Sequence, residues 1–532
     1  MQTVSESWKN AHKQTLLNES FVEVSLTIAD PEAMADATSS DNGAAYLSNT
    51  PEVVSEVSTP VIPYATLEQN IWLLDGTRKS IPESEYLDGG YVGEVLSNDE
   101  CVFDKKIPVI TIAFSRVHTQ PVPGITITWG TAYNEYADSF IVTAYDGDGA
   151  IVAQKEVLGN KSVTSIVELN IANYKSITIQ VMSWCLPHHR MRVDEMFVGW
   201  SKVYSKVNLM SYSHQQTVDP ISTSLPKMEI KFSIDNSDNS YNPLNPEGLN
   251  KYLTTRQEVT TRYGLKMNDG TIEWIKGGTF YLSEWYAKQN GISADFVARD
   301  LLEFMSTPYQ DSTWTNENRS LYDIATNLLM AANLPLNSDG SFKWVIDDSL
   351  KGIYTTGKLP DDTIANGLQI VANMGCCVLY PDRNGLLHIE PIRNEGTDYV
   401  INSFNSYSKA ELALSKSLKQ VVVKVHQYTP TSNGVDDTIT QVTVDVGETG
   451  EIITIDNPLI TDSERAMIVG TWMGDYLKNR STLKVVGRAD VRLDALDIVS
   501  NENDYSTDKL RMTNVKFDFN GAFRGSGEGR VI

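Results

Sequence analysis

Seven histidines, four cysteines and 68 acidic side chains are the groups from which this chain could build a catalytic or metal site, so their spacing decides what chemistry is open to it. Nothing in the 532 residues matches a Gly-x-Ser-x-Gly nucleophile elbow, a His-Glu-x-x-His zinc helix or a Gly-x-x-x-x-Gly-Lys-Ser/Thr phosphate loop. Only one pair of histidines is close, His188-His189, and it stands near Cys185. Adjacent strand residues point to opposite faces and a Leu-Pro turn intervenes, so an exposed loop is expected there rather than a metal site. Asp235-Asn-Ser-Asp-Asn-Ser-Tyr-Asn is as oxygen-rich as a calcium loop, but it lacks glycine at its sixth place and glutamate at its twelfth, which favours turn chemistry. No pair of carboxylates stands out as a glycosidase acid and base, because that role is defined by spatial separation. The expectation is no metal, no cofactor and no catalytic residue.

Aromatic and planar polar residues are more suggestive. Trp72, Arg78, Tyr91, His118, Tyr133, Tyr136, His188, His189 and Arg190 fall near the ends of expected strands. Stacking rings beside guanidinium and imidazole donors can hold a carbohydrate, so these nine form a candidate sugar-binding rim. Trp129 and Trp184 sit at strand ends in the same region and are expected to close a core.

The elements that would position this rim are short strands. Val109-Ile-Thr-Ile-Ala-Phe, Gly124-Ile-Thr-Ile-Thr-Trp, Phe140-Ile-Val-Thr-Ala-Tyr, Ile151-Val-Ala-Gln-Lys-Glu-Val, Ser165-Ile-Val-Glu-Leu and Ser176-Ile-Thr-Ile-Gln-Val-Met recur with turn residues between them. That rhythm predicts an antiparallel sandwich. Phe21 to Ile28 alternates apolar with polar, and Ala33 to Pro60 reads as a solvated linker. A second β stretch runs from Lys206 to about Arg299. Helices are expected from Ser320, with Asp323 completing a capping-box arrangement, from Asp362 to Met374 and from Asp462 to Leu477. Asp382-Arg-Asn-Gly predicts a hairpin turn.

Composition narrows the function classes. Acidic residues outnumber basic ones 68 to 44, a net charge of −24, so the long-range field opposes nucleic acid and anionic lipid. Four cysteines without a CxxC pair cannot build a disulfide framework and suit a reducing cytoplasm. The first twenty residues lack a secretory signature, and no run reaches the roughly 18 apolar residues that span a bilayer.

Two resemblances follow from particular residues. Ala65-x-Leu-Glu-x-Asn-x-Trp-x-Leu-Asp-Gly and the closing Arg190-x-Arg-Val-x-Glu strand resemble the discoidin-like, galactose-binding jelly roll. Ser320-Leu-Tyr-Asp-Ile-Ala, Gly357-Lys-Leu-Pro-Asp-Asp-Thr-Ile-Ala-Asn-Gly-Leu and Asp382-Arg-Asn-Gly-Leu-Leu-His-Ile-Glu-Pro resemble phage tail hub proteins, as does the preceding Thr279-Phe-Tyr-Leu-Ser-Glu-Trp. Together they imply a mostly β chain with minor α content (α+β), in which hub β-barrels carry an inserted β-sandwich. The implied division is 1–35 as a helix and strand completing the hub, 36–61 linker, 62–200 sandwich, 201–305 first barrel, 306–402 α/β domain, and 403–532 second barrel with the terminal strands. The lone strand at Phe21–Ile28 needs partners, expected after Val203.

The hub resemblance implies a homotrimer in a virion tail tip or baseplate, made in the bacterial cytoplasm. Its partners would be distal-tail and tail-tube proteins above and a spike, fibre or tape-measure protein below. No nucleic acid is implied. A host-surface carbohydrate adhesin is the alternative, and a cell-wall-degrading tail enzyme is a second one.

Overall fold

A computed structural model of the chain describes residues 1–14, 18–42, 50–54, 66, 68, 71, 90–246, 248–287, 291–311, 314–337, 340–431, 434–502 and 507–532. The architecture is mostly β with minor α.

The expected sandwich strands appear as Val109–His118, Val122–Trp129, Ala137–Tyr145, Ile151–Val157, Thr164–Ile171 and Tyr174–Trp184. They form two sheets. One runs Thr38–Asp41, Val109–His118, Tyr174–Trp184, Ala137–Tyr145, Ile151–Val157, and the other runs Tyr91–Leu96, Arg190–Phe197, Val122–Trp129, Thr164–Ile171. Period-two alternation turns Ile177, Ile179 and Val181 inward from the first sheet and Ile125 and Ile127 from the second, all of them fully buried.

Where it is described, the segment read as a solvated linker belongs to this sandwich instead. Thr38–Asp41 pairs with Ile110–Ala113, Ala33 and Val53 are fully buried, and the buried Ser39 hydroxyl donates to the Thr50 carbonyl at 2.5 Å. The misreading has a physical cause. In an edge strand only alternate residues face inward, and here the inward residue is a serine, so the segment shows no apolar alternation.

The largest sheet outside the sandwich has thirteen strands, and four sheets of two or three strands accompany it. Its path is Gly199–Tyr204, Ser20–Ala29, Glu258–Lys266, Ile272–Ala287, Ser293–Arg299, Lys227–Asp235, Leu209–Thr217, Thr507–Phe519, Phe523–Val531, Ser481–Arg488, Glu411–Leu414, while Ile498–Glu502 and Tyr399–Ile401 branch from Thr507–Phe519. Ser20–Ala29 lies between Gly199–Tyr204 and Glu258–Lys266, antiparallel to both. The 201–305 and 403–532 parts of this sheet are joined where Tyr212 to Thr217 pairs with Phe519 to Asn514, and a common core runs from Trp8 through Tyr263 and Met512 to Phe523.

The second large core holds the three longest described helices. Leu321–Ala331 starts at the Ser320 cap, whose hydroxyl accepts the Asp323 N–H at 3.0 Å and donates to the Asp323 carboxylate at 2.7 Å. Ile364–Met374 leads into the hairpin Cys377–Pro391, whose turn places Gly385 at φ +79°. The strands Leu418–Thr431, Gly434–Asp445 and Glu451–Ile455, with helix Ser463–Lys478, pack into this same core. Gly470 permits that helix to lie flat on the hairpin: a Cβ there would stand 2.7 Å from a Val444 methyl and 3.1 Å from one of Val423.

Asp300 ties the first barrel region to the short helix Leu301–Met305. Its carboxylate accepts the N–H groups of Leu302 at 2.8 Å and Met228 at 2.7 Å. Burial pushes this carboxyl from an ordinary value near 3.8 up to about 6, against those two hydrogen bonds. A raised carboxyl binds its proton more tightly in the folded chain, so Asp300 withdraws stability as pH climbs from about 4 to about 6. The cost of Asp300→Asn, read from urea midpoints, is therefore expected to be largest at pH 4 and smaller by about 2–3 kcal/mol at pH 7.

Candidate functional site

The strand Tyr174–Trp184 fixes the geometry of the expected sugar rim. Its eleven residues set its ends about 33 Å apart at the usual strand rise. His118 pairs with Tyr174 at one end, while Trp184, His188, His189 and Arg190 lie at the other. The nine rim residues thus do not share one site.

At the first end, His118 is 3% exposed and locked between two aspartates of the segment leading into the sandwich, with Nε2 3.0 Å from Asp36 and Nδ1 3.4 Å from Asp30. Hydrogen bonds from His118, then from Ser115, hold the Asp36 carboxyl down at about 2. Tyr91 is not at that end: it lies opposite Val193, itself the partner of Trp129, is 1% exposed, and has its hydroxyl pushed well above the ordinary tyrosine range, by burial first and then by Asp41 and Glu94. A ring that deep has no face to offer a sugar.

At the Trp184 end the residues converge on a buried charge network. Arg192, 3% exposed, donates from Nη1 to Glu68 Oε2 at 2.9 Å, from Nη2 to Glu68 Oε1, and from Nη1 to Glu135 at 3.4 Å. Glu135 also accepts Trp184 Nε1–H at 2.9 Å and meets His189 Nδ1 at 2.8 Å. The Arg190 backbone N–H donates to Glu68 at 2.9 Å, and the Tyr133 ring lies 4.4 Å from the Arg192 guanidinium. Burial pushes the Glu68 carboxyl up, but the hydrogen bonds and charge of Arg192 more than reverse this and leave it below its usual range. Trp129 and Trp184, at 0% and 1% exposure, meet edge-to-face at 6.0 Å beneath the network.

The two sequence patterns of this region meet here, because Glu68 of the first is ion-paired with Arg192 of the second. Glu68 and Glu135 were missed as functional residues. Only the Leu-Glu-x-Asn pattern marks Glu68, and no local signal separates Glu135 from the other acids. His189, expected in an exposed loop, is 3% exposed because Glu135 and the Ser97 hydroxyl hold it inward.

What reaches solvent at this end is narrower than expected. His188 remains 45% exposed with Nε2 2.8 Å from Asp99, Tyr133 and Tyr136 are half-buried, and Arg190 donates to the carbonyls of Gly93 at 3.2 Å and Glu94. Trp72 and Arg78 lie outside the described residues. Chemically the network is saturated, each buried carboxylate meeting a cation or an N–H, which suits a rigid support better than a proton-transfer site.

Elsewhere, the Asp235 loop turns its side-chain oxygens onto its own backbone. Asp235 accepts the Ser237 N–H, Asn236 that of Tyr241, and Asp238 that of Ser240, each at 2.9 Å. Among the described residues no group of three or more His, Cys, Asp or Glu is placed to hold a metal ion. No helix among them is long and apolar enough to cross a membrane.

No protein-family model matches the chain, and no curated protein sequence matches it. Among solved structures, the chain is similar to the 43 kDa tail protein of prophage MuSo2 from Shewanella oneidensis, with 11% identity over 62% of this chain and 95% of that one and a TM-score of 0.38. It is also similar to the tail protein from Neisseria meningitidis MC58, with 11% identity, 62% and 93% coverage and a TM-score of 0.42. Prophage tail protein gp18 from Listeria monocytogenes EGD-e gives 11% identity, 62% and 91% coverage and a TM-score of 0.40.

Proposed function

We propose that this chain is a structural hub of a bacteriophage or phage-derived tail tip or baseplate, working as a homotrimer around the tail axis. It links the tail tube and distal-tail ring to a spike, fibre or tape-measure protein, and its acids keep a DNA-carrying lumen from retaining DNA. The observation that carries this reading is the continuous thirteen-stranded sheet, which fuses two barrel regions into one platform yet, among the described strands, ends in an unpaired edge at each side. Such edges are a hazard in a monomer and an asset in a closed assembly. The hub-like sequence patterns around Ser320, Gly357 and Asp382 agree with it.

Within this reading, residues 62–200 are an insertion carried by the hub, with the adjoining 36–61 part of the same sandwich wherever it is described. A carbohydrate role for the sandwich rests on the exposed His188–Asp99 pair with Tyr133, Tyr136 and Arg190. His118, Tyr91 and His189 are then supporting residues rather than ligands. The trimer is tested by native mass spectrometry of the purified chain at micromolar concentration, where a mass three times that of one chain is expected. A strictly monomeric protein would refute the hub reading.

A further inference from the structure

The thirteen-stranded sheet ends at Glu411–Leu414, which among the described strands pairs on one side only, with Ser481–Arg488. Leu412 and Leu414 share a face of this edge and are 61% and 63% exposed. Lys409, Lys416, Lys419 and Lys484 surround it, against Glu411 on the strand and Glu451, which is ion-paired with Lys416, so the edge keeps a net positive charge in a chain of net charge −24.

The complementary feature is an arm. Beyond Tyr428, which meets Trp314 edge-to-face at 6.1 Å, the hairpin formed by Leu418–Thr431 and Gly434–Asp445 extends with both strands exposed. Among the described strands none pairs with the outer edge of Gly434–Asp445 along its twelve residues. That strand carries Asp436 and Asp437, the latter 2.8 Å from His426 Nδ1 of the neighbouring strand, and Ile439 is 46% exposed. Glu451–Ile455 covers the hairpin only along Leu418–Val423, so its outer part is two-stranded and gains from a further strand.

We propose that the acidic arm, residues 434–445, of one copy adds as a strand to the basic edge Glu411–Leu414 of a second copy, head to tail. Main-chain hydrogen bonds supply the attachment and the leucines lose their exposure. Lysines against aspartates set the choice of partner, because two lysine-flanked edges facing each other would repel. Each copy contributes one arm and one edge, so the contact is heterologous and closes into a ring. This rests on the trimeric reading above and names the surface that makes the trimer.

The test uses two full-length variants altered only at exposed positions, Leu412→Lys/Leu414→Lys (dead edge) and Asp436→Lys/Ile439→Lys (dead arm). With the wild type trimeric by native mass spectrometry, each double variant is expected to run as a monomer with unchanged far-UV circular dichroism. An equimolar mixture is expected to form a one-to-one heterodimer and nothing larger, since one intact arm then meets one intact edge. Should a double variant lose its circular dichroism, the single variants Leu412→Glu and Ile439→Glu are expected to give the same masses. Trimeric variants, or a mixture that stays monomeric, overturn the arm-and-edge contact while the hub reading stands. A monomeric wild type overturns both.

Discussion

Arg383→Met is expected to lower the stability of the chain by about 3–5 kcal/mol, the usual cost of stranding one partner of a buried ion pair. Arg383 sits on the Cys377–Pro391 hairpin of the helical region, is 1% exposed, and reaches into the shared core of the great sheet. Its Nε donates to Asp494 at 2.5 Å, Nη1 to the Val491 carbonyl at 2.6 Å and Nη2 to the Leu493 carbonyl at 2.8 Å. The rings of Tyr263 and Phe517 lie 5.7 and 5.8 Å from its guanidinium. Removing the cation leaves Asp494, whose carboxyl Arg383 holds below its usual range in a largely buried position, with only the amides of Gln2 and Gln216 and the more distant N-terminus to answer its charge. Urea denaturation at pH 7 measures the loss. The cycle with Asp494→Asn identifies its origin, because Arg383→Met/Asp494→Asn should fall well short of the sum of the single losses. A loss under 1 kcal/mol for Arg383→Met would mean that this side chain does not pin the two regions together.

A loss of similar size, about 3–5 kcal/mol, is expected from Arg192→Met in the sandwich, where Glu68 and Glu135 would remain buried without their cation. The pH dependence separates this from a simple packing loss. In the wild type Glu68 is held below its ordinary value of 4.5, so its stabilisation is present above that pH and fades as pH falls through the lowered value. In the variant the same carboxylate can relieve itself by taking up a proton. The difference between the two proteins should therefore shrink from pH 7 to pH 4. Near-UV circular dichroism of the Trp129–Trp184 pair under the network reports the sandwich directly. A pH-independent loss would assign the effect to volume rather than charge.

Strands and helix caps were legible because their signals are local. Ile177, Ile179 and Val181 alternate with polar neighbours, and Ser320 with Asp323 writes a helix start in four residues. The continuity of the great sheet was not legible, since Tyr212 meets Phe519 only after most of the chain has intervened and neither residue carries a mark of the other. The candidate site failed in sequence for a related reason. Strand ends were recognisable, but which end of the sandwich each belonged to depended on register, and register sent His118 to the far side from His189. Glu135 was hidden among 68 acidic residues, and its role comes from Arg192, His189 and Trp184 arriving from elsewhere.

The chain leaves the platform for the sandwich at Ala29 and returns at Gly199, and these two residues face each other across an antiparallel pair. A tug on the sandwich would therefore enter the platform through both strands at a single place and run along their length. The seven residue pairs from Ser20 to Leu26 against Glu258–Lys266 would take that load together, in shear, rather than opening one after another like a zip. The attachment is built as a mechanical anchor, able to transmit tension without first unravelling.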